Sequence, residues 1–143
     1  MLGLTAAAFL LSTSLSLVQT GHQDIWLGTY SNSSGISFQW VVPYQRMAST
    51  PSWQGDFARL PLSFTRAVEL SRAYLRTQRP GAESLPLWNI SLIKVVLRDL
   101  ADKWYFALAF LNVKDGAPTM DLSLATRVLL DGTVVEPAVV KKN

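Results

Sequence analysis

The sequence predicts an α+β fold: one long helix packed on an antiparallel sheet of about four strands, in the order β-α-β-β-β, preceded by a signal peptide. Three observations lead there. Residues 104–113 form an uncharged run between Lys103 and Lys114 in which both alternating sets are largely apolar. Residues 63–79 carry a helical period, with a serine to open it and Pro80-Gly81 to stop it. Residues 36–42 and 122–130 alternate with the period of two that marks half-buried strands.

In the central run, Trp104, Phe106, Leu108 and Phe110 share one side, and Tyr105, Ala107, Ala109, Leu111 and Val113 the other. Such a strand belongs inside a sheet, with its large side chains against a covering layer and its smaller ones on the second face. Before it, residues 88–97 shift phase: Trp88, Ile90 and Leu92 have one parity, Ile93, Val95 and Leu97 the other. A bulge near Leu92 and Ile93, or burial on both faces, accounts for the shift. Residues 99–103 read as the hairpin turn into the central strand and residues 114–118 as the turn out of it. In residues 122–130, Leu122, Leu124, Thr126, Val128 and Leu130 alternate with a wetter set. Asp131-Gly132 signals a tight turn, Thr133, Val134 and Val135 extend or fold back, and the end of the chain reads as a tail.

Ser63 is the predicted N-cap of the helix. Phe64, Ala67, Val68, Ser71 and Leu75, flanked by Leu70 and Tyr74, make its apolar face, while Arg66, Glu69, Arg72, Arg76 and Arg79 lie mostly away from it. Earlier in the chain, residues 25–30 read as a short strand or an extended arm. Residues 36–42 are the first strand, ended by Pro43, and residues 44–61 an irregular crossing segment that Trp53 and Phe57 pin to the core.

Residues 2–18 are an apolar run diluted by Ser and Thr, and residues 1–23 carry no charged side chain. A secretory signal peptide over residues 1–20 is the expectation, with an uncleaved anchor or a buried helix as alternatives. The division that follows is 1–20 signal peptide, 21–61 N-terminal strand and crossing segment, 62–137 helix and antiparallel meander in the same domain, and 138–143 tail. The expected location is periplasmic or secreted.

Composition narrows the chemistry. There is no cysteine, which excludes disulfides, thiolate metal sites and cysteine catalysis. The single histidine, His22, precludes a Ser-His-Asp triad or a multi-histidine metal site. The net charge of +3 comes from scattered basic residues, too few in any one place to propose nucleic acid as a partner. Asp99 and Asp102 lie together in a turn but read as solvated turn residues, and Asp115 and Asp131 beside glycines as turn formers. No cofactor or metal is expected. Asn32-Ser33-Ser34 and Asn89-Ile90-Ser91 match the glycosylation sequon, a short pattern with weight only in a eukaryotic secretory route.

The stretch 62–135 resembles the PepSY family of small bacterial domains. The likeness is carried by Leu62-Ser63 with Ala67-Val68 in the helix, Lys94-Val95-Val96, Trp104-Tyr105-Phe106, and Val128-Leu129-Leu130-Asp131-Gly132 before Thr133-Val134-Val135. The family's final strand often carries Asp and then Thr-Gly, where this chain has Gly132 before Thr133. With the 36–42 strand placed before the helix, the order is also similar to the cystatin topology, without that family's Gln-x-Val-x-Gly hairpin. The leader, the β-α-β-β-β order these resemblances share and the missing catalytic set point to an exported, non-enzymatic PepSY-like or cystatin-like module that binds a protein or peptide in the cell envelope, with protease regulation as one role open to it. The expected mode is strand addition along residues 88–97 or 122–130. Trp53, Arg72, Arg76 and Trp88 are the candidate binding surface, and a membrane is involved only through an uncleaved leader. The alternative is a small-molecule-binding or enzymatic domain with a cavity between helix and sheet, lined by Phe64, Val68, Tyr74, Phe106 and Phe110.

Overall fold

A computed structural model of the chain describes residues 23–32, 34–119 and 124–141. The expected signal peptide and His22 lie outside the described residues, as do residues 122 and 123 of the last predicted strand.

The central strand β4 (Trp104–Phe110) has both faces covered, as its two apolar sets predict. It lies inside a four-stranded antiparallel sheet of order β3-β4-β7-β8, with β3 at Leu87–Lys94, β7 at Thr126–Leu129 and β8 at Val134–Val135. On one face Phe106, Leu108 and Phe110 meet Ala67 and Leu75 of the long helix α2 (Phe64–Gln78). On the other, Tyr105, Ala107 and Leu129 meet Ile25, Leu27, Trp40 and Val42. These last four belong to a second sheet of three strands, order β1-β2-β9, built from β1 (Ile25–Ser31), β2 (Ile36–Val42) and β9 (Ala138–Lys141). The architecture is therefore helix, sheet, sheet, in three layers.

This arrangement keeps the α+β class and corrects the predicted strand plan in three places. Residues 36–42 do not join the sheet under the helix. They pair with β1 on one side and β9 on the other. The expected tail contains a strand, because Ala138 to Lys141 find a partner in Ile36 to Gln39. The fourth strand under the helix is β8, folded back on β7 through the turn at Asp131 and Gly132. Asp131 stabilises that turn by accepting from the Thr133 N–H at 2.9 Å and pairing with Arg46 at 3.0 Å.

The phase shift in β3 is explained by burial on both faces. Ile90 and Leu92 pack in the helix-side core, and Ile93 packs toward the second sheet. The bulge lies elsewhere, between Leu87 and Asn89, and it turns Trp88 outward at 57% exposure. The chain leaves β4 into a small hairpin of β5 (Asn112–Lys114) and β6 (Ala117–Thr119).

Helix α2 begins where Ser63 Oγ accepts from the Arg66 N–H at 3.1 Å. It ends before Gly81, whose left-handed φ of 83° suits glycine. The side chains it presents to the sheet are small at Ala67 and Ser71, which leaves room for the fully buried Phe106 and Phe110. Within this interface Ser71 Oγ and Thr126 Oγ1 form a polar pair, 2.7 Å apart and both buried.

The crossing segment contains a five-residue helix α1 (Tyr44–Ala48) and a 3₁₀ turn at Phe57–Arg59. Aromatic packing and hydrogen bonds pin it to β4 and the residues just before it. Trp53 lies 4.9 Å from Trp104 and 5.1 Å from Phe57, both edge to face. Lys103, buried at the start of β4, donates to Thr50 O at 2.6 Å and Ser52 Oγ at 3.0 Å. Between the two sheets, Arg127 donates to Leu27 O at 3.0 Å, and its guanidinium lies 4.5 Å from the Trp40 ring. Gly28 makes this possible, since a Cβ there would come within 2.9 Å of Arg127 Nη2.

Two stability outcomes follow from this packing. Phe106→Ala is expected to cost about 3–5 kcal/mol in denaturant unfolding, whereas Trp88→Ala stays within about 0.5 kcal/mol. Thr126→Val strands the Ser71 hydroxyl and costs about 1–3 kcal/mol, and adding Ser71→Ala returns most of that loss.

Candidate functional site

Among the described residues β3 is an edge strand, paired with β4 on one side only. The Val95 N–H donates to Lys103 O at 2.9 Å, so the odd-numbered residues of this stretch turn their backbone groups toward β4. By the same alternation Ile90, Leu92 and Lys94 turn theirs to the open side.

At the end of this edge the chain leaves the sheet, and residues 94–97 border two concavities. The first, about 690 Å³, opens between the start of β1 and the end of β3. Ile25, Leu27, Ile93 and Val95 give it an apolar lining, and Trp26, Tyr44 and Tyr105 add rings. Asp24 and Asp99 bring carboxylates to it. The second, about 310 Å³, shares residues 94–97 and is completed by Arg98 and Ala101. The surrounding apolar side chains are unusually open for their type: Trp26 is 63% exposed and Val96 94%.

Local chemistry fixes the cleft's walls. Trp26 Nε1 donates to Thr29 Oγ1 at 2.8 Å, which holds the indole along β1. The Tyr44 hydroxyl donates to the Asp99 carboxylate, joining α1 to the turn after β3. That bond pushes the Tyr44 hydroxyl above its ordinary pKa of 10.0. Tyr105 is buried at the base, its hydroxyl 3.5 Å from Leu27 O, and burial raises its pKa likewise. Burial also raises that of Tyr74, on the helix. Asp102, in the same turn as Asp99, is held below its ordinary value chiefly by the Ser52 hydroxyl.

The four residues predicted as a binding surface lie at different places in the fold. Trp53 is 5% exposed, its indole donating to Asp56 O at 2.7 Å, so it is a packing residue. Arg72 bends back to donate to Glu83 O and Leu85 O at 2.6 and 2.7 Å, with its guanidinium 5.1 Å from the Phe110 ring. Its charge ties the helix to the following turn. Arg76 is exposed on α2, and Trp88 is exposed at the far end of β3 from Trp53. Of the two stretches expected to offer an edge, 88–97 does so, whereas β7 lies between β4 and β8. The space between helix and sheet is taken up by side chains, with Phe64 meeting Phe106 edge to face at 5.0 Å.

Trp26, Tyr44 and Tyr105 were not singled out by sequence. The available signal was the apolar pair Val96 and Leu97 running straight into the charged Arg98 and Asp99, where a buried strand would have ended earlier.

Among the described residues no three His, Cys, Asp or Glu side chains gather to hold a metal, and no helix is long and apolar enough to cross a membrane. No protein-family model matches the chain, and neither characterised proteins nor solved structures give a match.

The pKa shifts predict how stability depends on pH. The folded chain holds the Tyr44, Tyr74 and Tyr105 protons more tightly than the unfolded chain does. Their contribution is therefore complete below pH 10.0 and is lost as pH rises through the folded values. Asp102 acts in the opposite sense: its contribution is present above pH 3.8 and is lost as pH falls through the depressed value. Denaturant midpoints measured across pH should decline at both ends, with ultraviolet titration showing tyrosines that ionise late.

Proposed function

We propose that the protein is an exported, non-enzymatic, PepSY-like or cystatin-like module that binds an extended segment of another protein in the cell envelope by strand addition along β3. The carrying observation is the β3 edge, open among the described residues, with two concavities bordering residues 94–97 at its end. Side chains of a segment added along β3 meet these concavities near Lys94. The outward backbone groups of Ile90, Leu92 and Lys94 supply the ladder. The order of α2 followed by the β3-β4-β7 meander supports the PepSY-like reading. A protease-regulating role fits a site that captures extended chain.

A second reading has one observation in its favour. The larger cleft falls within the roughly 300–1,000 Å³ typical of small-molecule sites, and the Tyr105 hydroxyl lies at its base.

One substitution separates the two. Lys94→Pro removes a backbone donor that faces the open side and leaves the Val95 bond to Lys103 in place, and edge strands tolerate proline there. Peptides selected from a random displayed library should lose roughly tenfold or more in affinity for Lys94→Pro, by calorimetry, with the unfolding midpoint little changed. Unchanged affinity would remove the strand-addition reading. A compound that binds wild type and Lys94→Pro equally would support the small-molecule reading.

A further inference from the structure

We infer that the corner of the domain where the N-terminal run joins β1 rests on a phospholipid bilayer, with Trp26, Val96 and Leu97 entering the headgroup layer. This goes beyond the strand-addition reading and does not rest on it.

Exposure singles out the corner. β3 ends at Lys94, and the chain passes through Val95, Val96 and Leu97 before the 3₁₀ turn at Arg98–Leu100. Val95 is buried, but Val96 is 94% exposed and Leu97 43%. Trp26 adds an indole that is 63% exposed. Scattered apolar residues on a surface are ordinary, whereas these three border one cleft. The indole is also prepared for an apolar layer: its Nε1 donates to Thr29 Oγ1 at 2.8 Å, so entry leaves no donor unsatisfied. Tryptophan is enriched at this depth of a membrane for the same reason, an apolar body with a polar atom that must be met.

Chain continuity says what covers the corner. Gln23 and Asp24 border the same cleft, and residues 2–18 are the apolar run. From Val18 to Gln23 the chain reaches at most about 17 Å. A run that enters a bilayer, in transit as a signal peptide or kept as an anchor, therefore delivers the domain with this corner toward the lipid. Both signs of charge occur here, with Lys94 and Arg98 as well as Asp24 bordering the concavities, so the contact is assigned to the apolar side chains. β3 runs back from the corner toward Leu87, which leaves its outward backbone groups at Ile90 and Leu92 to other partners.

The chain has no cysteine, so Val96→Cys gives a single attachment point for an environment-sensitive fluorophore on the full chain. Arg76→Cys is the control, exposed on α2 close to Arg79, which reaches Asn112 past the far end of β4. Each labelled chain is mixed with vesicles of equal parts phosphatidylcholine and phosphatidylglycerol, with and without a lipid spin-labelled at headgroup depth. The label at position 96 should shift to the blue and be quenched roughly two- to fivefold more than the label at position 76, at low and high salt alike. Trp26→Ser should roughly halve the shift at position 96 with the unfolding midpoint little changed. A label at position 96 that stays in water, even where the leader holds the chain on the vesicle, overturns the inference. Equal responses at the two positions, or a shift that salt abolishes, overturn it as well.

Discussion

The constraint on which the structure depends is that β4 must be covered on both faces. Its seven residues carry no charge, and neither face can be left to water. The helix covers one side and the second sheet the other, and the two covers differ because the faces differ. Phe106 and Phe110 project far from the sheet, so α2 approaches them with Ala67 and Ser71. On the opposite side, Ala107 is small enough for a sheet to lie close, with the Trp40 ring supplying bulk from above. Large meets small across both interfaces, which is how interiors reach crystal-like packing without strain.

What could be read from sequence was what local period encodes. The helix, its serine cap, its stop and the double-sided character of β4 are properties of consecutive residues, and the structure shows them where the pattern placed them. The second sheet was not legible in the same way. Its middle strand pairs Ile36 with Lys141 and Ser37 with Val140, and no local window contains both partners. Ala138 to Lys141 are too few to show a period, and Pro137 before them reads as a stop. The placement of two candidate surface residues was illegible for a related reason. An amphipathic pattern puts Arg72 toward solvent, but a side chain of that length folds back to carbonyls eleven and thirteen residues on, at Glu83 and Leu85. Trp53 reads first as packing and also as a candidate contact, and Trp104 beside it makes it packing.

The concavity beside β1 arises from unequal layers. The upper sheet has three strands and the lower one four. Leu27 of β1 accepts from Arg127 of β7 and lies within 3.5 Å of the Tyr105 hydroxyl on β4, so the upper sheet is centred over the middle of the lower one. Beyond β1 no strand of the described residues lies above the inner face of β3, in keeping with the half-buried Ile93 there. The cleft is a step between two sheets of different width, and its polar rim comes from the chain ends and turns that meet at that corner.

The bulge at Trp88 has a further consequence. An open sheet edge is a hazard as well as an opportunity, because identical edges can pair from molecule to molecule into ribbons. Here Pro86 and the bulge disrupt the ladder at one end of β3, and the ammonium of Lys94 marks the other. Between them Ile90, Leu92 and Lys94 turn their backbone groups outward, so a second copy would find only a brief ladder to extend. Selectivity between a partner and a second copy along this edge therefore falls to the side chains that flank the ladder.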